Sequence, residues 1–278
     1  MVGIVELARA KVNLALHITG RRGDGYHLLD SLVVFPEIGD RIEVEAASGL
    51  SLTIDGPFAQ DLGTGEDNLV LKAAELIRPV GKGAAVHLTK SLPIASGIGG
   101  GSADAAATLR ALSRLWDVSL DQADVLALGA DVPVCLASEP SRMQGIGEDI
   151  SRISELPEFW IVLVNPGAKV STPAVFKGLS SVDNAPLRDL PNPDLPGLIA
   201  WLSDQRNDME AAAISIEPQV GEVLERLNGI DDCAIARMSG SGATCFGIFK
   251  TAEAALKARA ELANVHPMWW CAAAPVKG

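Results

Sequence analysis

The run Pro93, Ile94, Ala95, Ser96, Gly97, Ile98, Gly99, Gly100, Gly101, Ser102, Ala103 leads straight into the alanine-rich stretch Asp104-Ala105-Ala106-Ala107. Residue types in this order can cradle a phosphate. Glycines 97, 99, 100 and 101 admit backbone angles closed to other residues, so successive N–H groups can turn toward one anion with no side chain in the way. Ser102 suits a helix start, and the unpaired N–H groups and macrodipole of a first helical turn favour negative charge. A Walker-type loop is excluded, because it needs Gly-Lys followed by Ser or Thr and here Gly101 is followed directly by Ser102. A cation that neutralises phosphate must come from elsewhere. The dinucleotide fingerprint also fails, since Ser102 takes the place of its third glycine and Pro93 interrupts the lead-in from a strand. Taken alone, the run is equally a glycine-rich turn between the apolar residues 84–88 and a helix.

Other residues carry chemistry more conditionally. Asp131 lies between Gly129 and Pro133, where a carboxylate can be held rigidly; a turn or cap role accounts for it as well. Lys11 shares a strand face with Asn13 and His17, and the pair Lys11 and Asn13 can point into a site or into solvent. Tyr26, the single tyrosine, precedes His27 after the loop of residues 20–25, and the aromatic faces of Tyr26 and Phe176 can stack on a planar base. Phe176 fits core packing equally. The turn Gly240-Ser241-Gly242 reads as a second phosphate or acceptor contact, or as a tight hairpin. Asn68 stands at a helix start, where capping explains it.

These residues need elements to position them. Alternation of polar and apolar residues predicts a strand over 10–18, with Lys11, Asn13 and His17 on one face and Val12, Leu14, Leu16 and Ile18 on the other. Residues 28–35 and 41–46 read as further strands. Helices are predicted from Leu69 until Pro79, over 102–116 and over 120–128. A second domain is expected from about residue 150, giving domains 1–150 and 151–278. It holds a strand over 160–164, a polar loop over 186–196 with four prolines, helices over 198–205, 208–214, 219–227 and 251–262, and strands over 234–238 and 244–249. The class is mixed, α+β.

Composition bounds the function. With 278 residues, 48% hydrophobic and 21% charged, the chain can bury a large core. A formal net charge of -12 opposes binding to nucleic acid or to an anionic membrane, but leaves room for a small phosphorylated ligand held locally. Cys135, Cys233, Cys245 and Cys271 form no C-x-x-C pair, so buried, reduced thiols are expected rather than zinc or redox chemistry. Charged Glu6, Arg9 and Lys11 interrupt the first apolar residues, and a cytoplasmic protein without a signal peptide is expected.

Three segments considered together resemble one family. Residues 10–14 (Ala-Lys-Val-Asn-Leu), 93–107 and 238–243 (Met-Ser-Gly-Ser-Gly-Ala) are similar to the three ordered motifs of the GHMP small-molecule kinases, a likeness that spans nearly the whole chain. It implies a two-domain α+β fold, with an N-terminal domain like ribosomal protein S5 and a ferredoxin-like C-terminal domain. ATP would bind through Asn68 and residues 93–103. Further elements narrow the member: Gly-Asp-Gly-Tyr-His at 23–27, Gly-Ala-Asp-Val-Pro at 129–133, Asn-Pro-Gly at 165–167 and Thr-Pro-Ala-Val-Phe at 172–176. They imply transfer of the ATP γ-phosphoryl group to the 2-hydroxyl of a methylerythritol unit carrying a diphosphocytidyl group, in the non-mevalonate isoprenoid pathway. In this likeness Asp131 and Lys11 act at the acceptor hydroxyl, one on the proton and one on the charge. Asn13, Tyr26, His27, Thr172, Phe176, Gly240, Ser241 and Gly242 bind the acceptor, with Tyr26, His27 and Phe176 at the cytidine. Mg2+ is implied with ATP; no carboxylate cluster marks its ligands, and Ser102 is a candidate. Ala103-Asp104 departs from the Ser-Asn pair common in such kinases, which puts the nucleotide contacts there in question. Another kinase of the family, or a sensor that binds without turnover, are the competing readings.

Overall fold

Period-two burial along the strands and a wide apolar stripe on the long central helix organise the chain, whose computed structural model describes residues 3–190 and 194–277. In chain order the elements are β1 (Ile4–Arg9), β2 (Val12–Arg21), β3 (His27–Val34), β4 (Gly39–Ala47), β5 (Leu50–Asp55), α1 (Leu69–Ile77), β6 (Gly83–Thr89), α2 (Gly100–Trp116), α3 (Gln122–Ala127), α4 (Val132–Ala137), β7 (Ser141–Gly145), β8 (Asp149–Arg152), β9 (Phe159–Asn165), α5 (Thr172–Lys177), α6 (Leu195–Ser203), α7 (Glu210–Ile216), α8 (Gln219–Asn228), β10 (Ile235–Met238), β11 (Cys245–Phe249), α9 (Ala252–Val265) and β12 (Trp270–Val276). They gather into two compact units that interleave in sequence. One is made of residues 1–10, 39–94 and 99–138, the other of 11–38, 95–98 and 139–278.

In the first unit a sheet of order β1-β4-β6-β5 is antiparallel except for the β5–β6 pair. Ile42, Val44, Val86 and Leu88 are buried on the sheet, as are Val70, Ala73 and Ala74 of α1 and Ala105, Leu109 and Leu112 of α2. Small residues along α2 let it lie close to β1, β4 and α1. Two inward positions break the apolar pattern: Asp40 shares a face with Ile42 and Val44, and Lys90 continues the face of Val86 and Leu88.

The second unit holds two antiparallel sheets, β2-β3-β7-β8 and β10-β11-β9-β12. Val162, Val164, Phe249, Val223, Leu227, Ala258 and Leu262 share a core with Leu16 and Ile18 of β2. The segment before α6 is tied to the β2-β3-β7-β8 sheet by Asp30, which takes two hydrogen bonds from Arg142 (2.8 and 2.7 Å) and one from the Leu187 N–H (3.1 Å).

Several expected boundaries move. The predicted strand over 10–18 is found as β2, which starts at Val12 and runs on to Arg21, with Ala10-Lys11 separating it from β1; its polar face is covered, since Lys11, Asn13 and His17 are all buried along with their apolar neighbours. The helix expected from Ser102 begins at Gly100, because Gly99 takes a left-handed conformation (φ 62°) that glycine adopts without strain and turns the chain into the helix two residues early. The loop expected at 129–133 contains the start of α4, with Pro133 in its first turn. The predicted polar loop over 186–196 falls partly outside the described residues, at 191–193. None of the four cysteines is in a disulfide; Cys135 and Cys245 are buried, and burial pushes the thiols of Cys233 and Cys271 up to about 11.

Candidate active site

The predicted site residues fall into both units. In the first, α2 opens with Gly99 at its N-cap, whose carbonyl accepts from the Ala103 N–H at 2.9 Å. A Cβ at Gly101 would meet nothing within 4 Å, so the backbone of this turn is uncovered there, as a site for phosphate requires. Ser102 is half-buried in the same turn and Ala103 is buried. Asn68 caps α1: its side-chain oxygen accepts from the Val70 N–H (2.9 Å) and its amide donates to the Gly63 carbonyl (2.8 Å). Asn68 therefore has the capping role expected of its position. Asp131 is the residue before α4, half-buried, and makes no side-chain cap bond to that helix, so local capping does not account for its carboxylate.

In the second unit the segment Ala95–Ile98 is shaped by the turn of residues 239–244. Ser239 Oγ donates to the Gly97 carbonyl (3.0 Å) and accepts from the Asn13 N–H (3.1 Å), while the Thr244 N–H donates to the Ser96 carbonyl (3.1 Å). The Lys11 N–H donates to the Ile98 carbonyl at 2.9 Å. The fit leaves no room for side chains. A Cβ at Gly97 (φ +77°) would lie 2.4 Å from the Ser239 carbonyl oxygen, and one at Gly240 (φ +54°) 2.6 Å from the Gly97 carbonyl oxygen. Gly240, Ser241 and Gly242 thus form the tight turn of the antiparallel β10–β11 hairpin, and the same turn packs against the glycine segment. Asn207 holds the turn from its other side, donating to the carbonyls of Met238 and Gly240, both at 2.8 Å. Thr172 and Ser241 share a hydroxyl hydrogen bond of 2.7 Å.

Asn13 donates from its amide to Ser31 Oγ (2.8 Å), and its side-chain oxygen is buried with no hydrogen-bond partner. Such an acceptor is costly to leave empty, which makes it a natural place for a ligand hydroxyl. His27 and Phe176 are stacked, with ring centroids 4.5 Å apart, and Tyr26 next to them in sequence is 61% exposed. Burial, then the charge of Arg21, lowers the pKa of His27, which favours the neutral imidazole.

Sequence reasoning missed several buried polar residues. Lys90 donates to Asp40 (2.5 Å) and to Asp104 (2.6 Å), and all three are at most 3% exposed. The signal was there to find: Asp40 and Lys90 occupy apolar positions of a strand alternation. His17 is the second group. Its Nδ1 is 2.9 Å from the Ala185 carbonyl and its Nε2 accepts from the Arg206 N–H (3.2 Å), which fixes the neutral tautomer with the proton on Nδ1. Burial, chiefly, lowers its pKa. Neighbouring Asp208 accepts from the Ile18 N–H, from Asn184 and from Arg206.

With this geometry, the chain matches the GHMP kinases N terminal domain over residues 68–145 and the GHMP kinases C terminal over 187–267. It belongs to the GHMP kinase family. Curated relatives from Cereibacter sphaeroides and Ruegeria pomeroyi, 54% and 55% identical and each aligned over 98% of both chains, are named 4-diphosphocytidyl-2-C-methyl-D-erythritol kinase. A crystal structure of 4-(cytidine 5'-diphospho)-2C-methyl-D-erythritol kinase, 32% identical, superposes with a TM-score of 0.81 over 99% of this chain and 100% of that one. A homoserine kinase from Cytophaga hutchinsonii shares the fold at 17% identity, with a TM-score of 0.68 over 100% of this chain and 95% of that one.

Proposed function

We infer that the chain transfers the γ-phosphoryl group of ATP to the 2-hydroxyl of 4-diphosphocytidyl-2-C-methyl-D-erythritol, giving the 2-phosphate and ADP, in the non-mevalonate isoprenoid pathway. The observation that carries this reading is the His27–Phe176 stack beside exposed Tyr26. A pyrimidine base needs such flat apolar surfaces with a polar edge nearby, whereas the small aliphatic acceptors of other kinases in the family do not. Near-full-length identity to relatives named for this acceptor supports the same choice.

The chemistry asks for positioning more than for a strong base, because phosphoryl transfer passes through a loose transition state. In this reading the first turn of α2 and residues 93–103 hold the phosphates through backbone N–H groups, with Asn68 at the nucleotide. Asp131 orients the acceptor hydroxyl and takes its proton, and Lys11 offsets charge on the phosphoryl group in transfer. Asn13 accepts from a substrate hydroxyl, Tyr26, His27 and Phe176 hold the cytidine, and Thr172, Gly240, Ser241 and Gly242 complete the acceptor pocket.

Magnesium enters with ATP. Among the described residues no group of three or more His, Cys, Asp or Glu is placed to hold an ion. The Ser102 hydroxyl in the first turn of α2 nevertheless suits an ion that takes its other ligands from phosphate and water. When bound, magnesium neutralises charge on the transferring phosphates. A cytoplasmic site of action suits an enzyme that draws on ATP; among the described residues no helix is long and apolar enough to cross a membrane.

The test is ADP formation by the purified protein with Mg-ATP and, in parallel, the diphosphocytidyl acceptor, mevalonate, homoserine and galactose. Turnover restricted to the first is the expected result. Turnover with another alcohol refutes the acceptor assignment, and binding without turnover refutes catalysis.

A further inference from the structure

The lysine nearest the glycine run in sequence is Lys90, yet its ammonium is buried between two carboxyl groups rather than open to a phosphate. Three elements meet there. Asp40, on β4, accepts through Oδ1 from the N–H groups of Ser91 (2.6 Å) and Leu92 (2.8 Å), and through Oδ2 from Lys90. Lys90, just past β6, reaches on to Asp104 Oδ2 in the second turn of α2. The ammonium lies directly beneath the opening of that helix: a Cβ at Gly100 would stand 3.2 Å from Lys90 Nζ and 3.9 Å from Asp40 Oδ2.

Stability does not explain such a cluster. Burying ions costs so much solvation that apolar residues of similar volume commonly do as well or better. Directional bonds do supply geometry. Asp40 fixes the exit of β6, Lys90 spans from that exit to α2, and Asp104 receives it, so four short contacts link the end of β6 to the start of α2.

We propose that Asp40, Lys90 and Asp104 are positioning residues for nucleotide phosphate: they orient the opening turn of α2, and with it the N–H groups that face the anion. The proposal rests on the reading of that turn as the ATP phosphate site. None of the three touches the phosphate; they act through the backbone of Gly100–Ser102. Asp104 needs only to accept from Lys90, so an asparagine serves in its place.

The test measures binding of the non-hydrolysable imido analogue of ATP and of adenosine to the full chain by calorimetry, alongside thermal midpoints. Lys90→Met combined with Asp104→Leu removes the directional contacts while leaving Asp40 on its two backbone N–H groups. The expected result is loss of analogue affinity by about tenfold or more with adenosine affinity within about twofold of native, and a midpoint lowered by the cation-less Asp40 but still a single cooperative transition. Asp104→Asn restores analogue affinity to within about threefold. Lys90→Gln gives the same selective loss and decides the matter if the double variant does not fold. Native-like analogue binding in these variants, or equal losses for the analogue and adenosine, overturns the proposal. Failure of the native protein to bind the analogue instead overturns the ATP reading beneath it.

Discussion

The imidazole of His27 lies flat against the ring of Phe176, 10° from parallel, although the two residues belong to β3 and α5. The pair already forms one wall suited to a planar base, and Tyr26 stands next in sequence with most of its ring in solvent.

Replacing Tyr26 or Phe176 by Leu keeps apolar bulk but removes the flat π-face. Each change is expected to raise the KM for the acceptor by about tenfold while leaving the KM for ATP within about twofold, since aromatic stacking is worth ~1–3 kcal/mol per base. Steady-state kinetics with each substrate varied in turn checks this; equal rises in both constants refute the stacking role.

Asp131→Asn retains shape and removes the proton acceptor. Turnover is expected to fall by about 10²–10⁴-fold with analogue binding intact. Lys11→Met should likewise lower kcat without abolishing nucleotide binding. A native rate in either variant removes that residue from the chemistry.

His17 predicts acid sensitivity. Its folded pKa lies below the ordinary 6.5, so the fold favours the neutral ring: the stabilisation is fully present above 6.5 and is lost as pH falls through the lower folded value. Protonation would turn Nε2 from an acceptor into a donor facing the Arg206 N–H. The thermal midpoint of the native protein should therefore drop between pH 6.5 and 5 more steeply than that of His17→Gln. Parallel curves refute this.

Asp104 predicts the opposite slope. Burial raises its carboxyl from 3.8 to about 8, and Asp40 adds to the rise against the attraction of Lys90. For Lys90, burial acts downward but its two carboxyl partners prevail and hold the ammonium above its ordinary value. One cation cannot balance two carboxylates in a dry site, and a neutral Asp104 resolves the excess. A raised folded pKa means stabilisation that is complete below 3.8 and fades as pH rises toward 8. Asp104→Asn should remove that fading, gaining thermal stability relative to native at pH 8 and little at pH 4; melting curves at the two pH values decide it.

The glycine run, the strands around it and α2 were legible because each depends on local pattern: glycine clustering, alternation, and alanines at helical spacing. The first-turn geometry was less so. Ser102 looked like the cap, but Gly99 ends the loop in a left-handed conformation that no letter pattern separates from its neighbours at 97, 100 and 101. The buried polar groups were hidden for another reason. Asp40 and Lys90 stand out from the strand alternation, but their pairing across 50 residues, and that of Asn207 with the carbonyls of Met238 and Gly240, is set by tertiary contact that local pattern does not contain. Whether Lys11 faces a site or solvent is open in the sequence, because alternation separates two faces without saying which is covered; in the structure both faces of β2 are buried.

One hydroxyl, that of Ser239, joins Asn13 to Gly97 across separations of 226 and 142 residues. During synthesis the ribosome delivers the glycine segment long before its mould exists. The contacts that shape Ala95–Ile98 can therefore form only after the 239–244 turn has been made. A nascent or clipped chain that lacks this turn has the whole glycine run in its sequence without the Ser239 and Thr244 contacts that mould it.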